Sequence, residues 1–161
     1  MSQSRSNLSD QKEVNDRLRS VLDLQTFIQK YPDLFVITGA GISRGSGIQT
    51  YRDEAGKWKS NSPIQHSEFL SRETARKRYW TRSYSGWPNV AYAKPNNGHK
   101  SLVRLESKGY ISTLATQNVD RLHQKAGHKR VTDLHGRLDQ VVCMDCGLLS
   151  SRHEIQAWLK K

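Results

Sequence analysis

A chain of 161 residues is the size of one domain around a single core. Lys and Arg number 26 against 15 Asp and Glu, and the resulting charge of +11 favours anionic partners such as nucleotides, nucleic acid or acidic protein surfaces. The longest apolar runs are about four residues against the ~20 that cross a bilayer, which excludes a transmembrane helix. The start has no apolar stretch of a secretory signal and carries Asp10, Glu13 and Asp16, unlike a transit peptide, so a cytoplasmic location without a membrane partner is expected, with mitochondrial the alternative for a eukaryotic chain.

Residues 1–8 are polar and Ser-rich, and a loose terminus is expected there. Val14, Leu18, Val21, Leu22, Gln25 and Ile28 then recur at helical spacing, with Asp10 and Glu13 as a cap-like start and Pro32 as the stop. Leu34 to Thr38 reads as a fully buried strand that runs into glycines. The polar stretch from Gly56 to Pro63, around Trp58, reads as a loop. Glu68 to Ser85 predicts one basic helix ending near Gly86 and Pro88. "PNNGH", Pro95 to His99, is a turn before a helix through Leu102, Val103 and Leu105. Tyr110 to Thr116 predicts a second buried strand, followed by a loop and a short helix closed by Gly127. Val131 to Leu134 predicts a third strand ending at His135-Gly136. Cys143 and Cys146 follow the alternating stretch Leu138 to Val142, and a last helix starts near Arg152.

Strands alternating with helices imply an α/β fold with a parallel sheet, whose ligands bind beyond the carboxyl ends of the strands. The polar clusters fall at those ends: Gly39 to Arg52, Gln117 to Asp120, and His135. Gly39, Gly41, Gly45 and Gly47 let main-chain N–H groups approach a phosphate. The spacing is not the usual dinucleotide fingerprint, because Arg44 stands where its third glycine belongs and no acidic residue follows near Lys59 to Asn61. Asn118 and Asp120 suit helix capping as well as ligand contact. The C-x-x-C pair is too close to staple a fold and points to metal or redox chemistry.

Taken together, "GAGISRGSGIQTYR", "TQNVD", "DLHG" and "CMDCG" resemble, in order and spacing, the signatures of the sirtuins, NAD-dependent protein-lysine deacylases. "RYWTRSYSGWP" is most similar to the sirtuin-four-like branch and its bacterial relatives. The resemblance implies a partial Rossmann-like parallel sheet with helices on both faces in residues 9–136, and the start of a zinc-knuckle insertion in 137–161. It implies that Gly39, Ala40, Gly41, Ile42 and Ser43, with Tyr51 and Arg52, hold the NAD pyrophosphate. Gln117 would hold ribose hydroxyls, Asn118 the reacting ribose and its water, and Val119 and Asp120 the nicotinamide carboxamide.

In the same resemblance His135 is the general base, a role that suits an imidazole near neutral pH. Cys143 and Cys146 would be half of a four-ligand zinc site, with His153 a conceivable third ligand and a redox pair the rival reading. His66, His99, His123 and His128 read as structural. Tyr79 and Arg82 share a helical face that could read an acidic acyl group or be plain surface. The implied substrate is an acylated lysine; nucleic acid binding through the basic cluster, or a non-catalytic ADP-ribose module, are the alternatives. Because the family's later strands are not in this sequence, a fragment with weak NAD affinity is expected.

Overall fold

The computed structural model describes residues 3–50, 53, 55–57, 59 and 63–161, with side chains from residue 13 onward. The three apolar runs form parallel strands β1 (Leu34–Thr38), β2 (Ile111–Thr116) and β3 (Val131–Asp133), in the order β1-β2-β3. Their register aligns the last residues, Thr38 with Thr116 and Thr116 with Asp133, so all three following loops leave from one edge. That alignment assembles a site from distant segments of chain.

Between the strands run α1 (Gln3–Lys30), α2 (Ala40–Ser43) with a short 3-10 turn Arg44–Ser46, α3 (His66–Ser71), α4 (Glu73–Ala91), α5 (Asn97–Ser107) and α6 (Leu122–Ala126). Asn96 caps α5 with its side chain on the Gly98 N–H, and His99 reaches back to complete a capping box. Gly127 closes α6 at φ 107. The helix α5 packs against β2 and α6, and Leu114, Leu122, Ile111 and Ala115 form the apolar core with His99, His123 and Thr116 among them.

Three expectations need correction. The N-terminal helix begins at Gln3, so residues 3–8 are helical and not loose; once a helix is nucleated, each added residue costs little. The strand β1 is covered on one face only, with Phe35 and Ile37 on the other face 62% and 61% exposed. The basic helix is two helices, broken at Arg72, and the second runs through Gly86 and Pro88 to Ala91. A proline inside a helix removes the bond to the carbonyl four residues back. Here that carbonyl, on Tyr84, accepts instead from Gln156 Nε2 at 3.1 Å.

Beyond β3 the chain forms an antiparallel hairpin, β4 (Gln140–Val142) and β5 (Leu149–Ser151), and then α7 (Arg152–Leu159), capped by Ser151 and Glu154. Arg152 anchors α7, buried with its guanidinium over the Trp80 and Trp87 rings and donating to Ser83 Oγ at 3.1 Å. Several side chains of the basic cluster are engaged by neighbouring groups of the chain. Arg76 donates to the Phe69 and Leu70 carbonyls, Lys77 and Arg78 pair with Glu73 and Glu68, and Lys125 reaches the Val90 and Ala91 carbonyls. Tyr79 stacks edge-on against Phe69 and Trp80. No helix among the described residues is long and apolar enough to cross a membrane.

Candidate functional site

The glycines after β1 divide their work. Gly41 has open space where a Cβ would stand. Gly45 is small for packing: a Cβ there would sit 3.2 Å from Asn96 Nδ2. Gly47 takes φ 83, which favours glycine, and ends the 3-10 turn. The loop is pinned from outside by Asn96, whose Nδ2 donates to the Ile42 carbonyl at 2.7 Å and Ser46 Oγ at 2.9 Å.

The second loop locks onto the first. Asn118 Nδ2 donates to the Gly39 carbonyl at 3.0 Å and to Ser43 Oγ at 3.1 Å. The buried Ser43 hydroxyl donates to Asp120 Oδ2 at 2.7 Å, while Asp120 Oδ1 accepts the Leu122 N–H at 2.9 Å. Asp120 therefore supports the start of α6 and faces the first loop at the same time. Arg121, at φ 64, is held by ion pairs with Asp133 and Asp139, and so ties this loop to the end of β3.

From the third loop His135 turns back, with Nδ1 at 3.1 Å from the Gln117 carbonyl. A carbonyl accepts only, so Nδ1 carries a proton, and in the neutral ring the lone pair is on Nε2. The three loops enclose a cleft of about 720 Å³ lined by Ala40, Ser43, Ile48, Gln49, Gln117, Asn118, Val119, Asp120 and His135. A neighbouring hollow of about 460 Å³ between α4, α6 and the hairpin shares Val90, Val119, Asp120 and Leu138 with it. An open cleft that combines an apolar lining with the amides of Gln117 and Asn118, the Asp120 carboxylate and the His135 imidazole suits a ligand with hydroxyl and amide groups.

The cysteines lie apart from this cleft, at the tip of the β4–β5 hairpin. Cys143 N–H donates to the Leu148 carbonyl at 2.9 Å, the Gly147 N–H to the Cys143 carbonyl at 3.0 Å, and Gly147 takes φ 72. Main-chain N–H groups of Cys146 and Asp145, and then the Cys146 thiol, hold the Cys143 thiol below its ordinary value. Thiolate stabilisation by turn amides suits a metal ligand. Two donors are half of a tetrahedral set, and no group of three or more His, Cys, Asp or Glu among the described residues could hold a metal ion. His153 instead stacks edge-on against Trp87.

Of the site residues expected from sequence, Ala40, Ser43, Gln117, Asn118, Val119, Asp120 and His135 line one cleft, with Gly39, Gly41 and Ile42 in the loop that bounds it. Cys143 and Cys146 form a separate turn, and Tyr51 and Arg52 lie outside the described residues. Sequence reasoning missed Asn96, Thr38 and Thr116, which buttress the loops from behind.

The fold and cleft define a Rossmann-like α/β protein whose ligand site lies at the carboxyl edge of its sheet. The Sir2 family model matches residues 39–161, and the chain belongs to that family. It is 53% identical over 133 residues to NAD-dependent protein deacetylase 2 of Bradyrhizobium diazoefficiens, covering 83% of this chain and 49% of that one. It is 44% identical over 136 residues to the NAD-dependent protein deacylase SIR4 of Monosiga brevicollis, covering 84% and 44%. Among solved structures, a Sir2 complex with a p53 peptide and NAD⁺ superposes with a TM-score of 0.73 at 32% identity, covering 86% of this chain and 55% of that one. The chain thus spans about half the length of the curated relatives it matches.

Proposed function

We propose that this chain carries the ribose- and nicotinamide-facing part of an NAD-dependent protein-lysine deacylase. The reaction class is transfer of an acyl group from lysine to ADP-ribose with release of nicotinamide. The observation that supports it most is His135, whose Nδ1 is engaged with the Gln117 carbonyl so that Nε2 is available as a base in a cleft it shares with Asn118. NAD suits the residues present: an added Cβ at Gly41 would occupy otherwise open space, and the first loop presents main-chain amides.

Bound NAD supplies a ribose carbon that becomes open to attack when nicotinamide leaves. The protein's part is positioning and proton transfer. Gly39, Ala40, Gly41, Ile42 and Ser43, with Tyr51 and Arg52, hold the pyrophosphate. Gln117 holds ribose hydroxyls, and Asn118, anchored on Gly39 and Ser43, orients the reacting ribose. Asp120 and the Val119 main chain receive the carboxamide. His135 removes the proton from the ribose hydroxyl that takes up the acyl group.

In this reading residues 9–136 form the nucleotide part and 137–161 the first half of a zinc module, with Cys143 and Cys146 as ligands that stabilise the hairpin and take no part in the chemistry. The location is bacterial-type cytoplasm. The test is nicotinamide release from NAD with an acetylated peptide present: it is expected to depend on the peptide and to fall by at least about 100-fold in His135→Ala. Equal release from both proteins would sink the proposal, and ADP-ribose binding without turnover would favour a non-catalytic module.

A further inference from the structure

Three imidazoles lie beneath the loops, and the proposed chemistry uses none of them. His99 on α5, His123 on α6 and His128 just after α6 are buried, with ring centroids 4.8 Å apart for the first pair and 5.2 Å for the second. His99 Nδ1 accepts the Asn96 N–H and His128 Nδ1 faces Glu106 Oε2 at 3.3 Å; both serve α5 and the turn after α6. His123 points the other way, toward the ends of the strands.

His123 Nε2 is 2.8 Å from Thr38 Oγ1. The Thr38 hydroxyl donates to Thr116 Oγ1 at 2.9 Å, and Thr116 Oγ1 also accepts the Asn118 main-chain N–H at 3.1 Å. With its own proton directed at Thr116, Thr38 requires a donor from His123, so the imidazole proton sits on Nε2. Thr38 and Thr116 are paired across β1 and β2 and are the last residues of those strands, from which both cofactor loops spring. They are only 9% and 2% exposed, so a hydroxyl left without its partner there would be costly.

We infer that His123 is a positioning residue for the reaction: through the Thr38 and Thr116 hydroxyls it fixes the main chain at Asn118, and so aims the Asn118 carboxamide at Gly39 and Ser43. This rests on the role given to Asn118 above and adds the support that sets it. A cation cannot do the same job as cheaply, and burial, with His99 and His128 nearby, keeps the ring neutral. A hydrocarbon of similar volume would fill the space but leave Thr38 without its donor. No metal role competes, since no triad among the described residues could hold an ion.

Amide exchange on the ¹⁵N-labelled full chain at pH 7 tests this without NAD or turnover. Thr116→Val and His123→Phe should each speed exchange at Asn118 by about tenfold, the loss of one hydrogen bond. Exchange at Leu114, in the sheet, should change by less than about twofold, because its bond to the Arg130 carbonyl is untouched. His123→Gln, whose amide nitrogen can occupy the Nε2 position, should restore Asn118 to within about threefold of the parent. Combining Thr116→Val with His123→Phe should be no worse at Asn118 than Thr116→Val alone.

Long-range ¹⁵N spectra should show the His123 proton on Nε2. An unchanged Asn118 rate in a folded His123→Phe, or a proton found on Nδ1, would overturn the inference. If His123→Phe does not fold, near-isosteric Thr38→Val carries the same expectation, and an unchanged Asn118 rate there overturns it equally. Failure of the unaltered chain to bind ADP-ribose would count against the deacylase reading and leave the relay to be decided by the exchange rates.

Discussion

The two sides of β1 are built on opposite principles. On the side of β2 and the loops, polar groups are buried and paired: Thr38, Thr116, Ser43, Asp120 and His123 are all inside and bonded. On its other face, Phe35 and Ile37 are exposed, as are Val14, Leu18, Val21, Leu22 and Phe27 along α1. The usual inside-out arrangement is thus inverted across a single strand. The site is ordered by hydrogen bonds that admit few alternatives, whereas the exposed apolar face buries little surface.

Truncations should expose that contrast most strongly. Leu114→Ala, at a fully buried position, should cost about 2–5 kcal/mol in urea unfolding. Phe35→Ala, on the open face, should cost less than about 1 kcal/mol. Comparable losses would mean that the outer face is covered in solution.

Acid should act next, and on the polar side. Burial first, then His99 and His128, bring His123 from 6.5 to about 4, with Asp120 and Asp133 opposing. Its folded pKa lies below its unfolded one, so between those values the unfolded chain binds more protons and stability falls as pH falls. The full loss, reached below about pH 4, is about 3 kcal/mol. Burial lowers His99 in the same direction. Thermal melts from pH 7 to 4.5 should show a steady decline that flattens in His123→Phe; a flat parent profile would contradict the buried neutral ring.

The smallest effects separate two glycines of one loop. Gly47→Ala, at φ 83, should cost about 1 kcal/mol. Gly41→Ala has open space around its Cβ and should alter stability by less than about 0.5 kcal/mol while weakening ADP-ribose binding in calorimetry.

Much of this was legible in the sequence, for local reasons. Apolar runs flanked by Gly or Pro marked β1, β2 and β3, the turn-forming stretch Pro95 to His99 announced α5, and Gly127 marked the end of α6, where the left-handed cap favours glycine. The convergence of Ser43, Asn118 and His135 followed from the rule that parallel strands present their ligands at one edge. What escaped was tertiary. Nothing local says that Tyr84's carbonyl will find Gln156, so Pro88 looked like a stop. Nothing local distinguishes a histidine filling the core from one that orients a loop, and what sets His123 apart is Thr38, 85 residues earlier in the chain and bonded in turn to Thr116.

The bond from Gln156 to Tyr84 also makes two parts of the molecule mechanically one. It bridges the weakest turn of α4, the one where the helix lacks its own rung, and Arg152 clamps the same neighbourhood between two indoles. Val90, just past that turn, lines both hollows beside the strand-end loops, and Ala91 lines the smaller one. The last helix is therefore bonded and stacked onto the same stretch of α4 that lines the hollow of about 460 Å³.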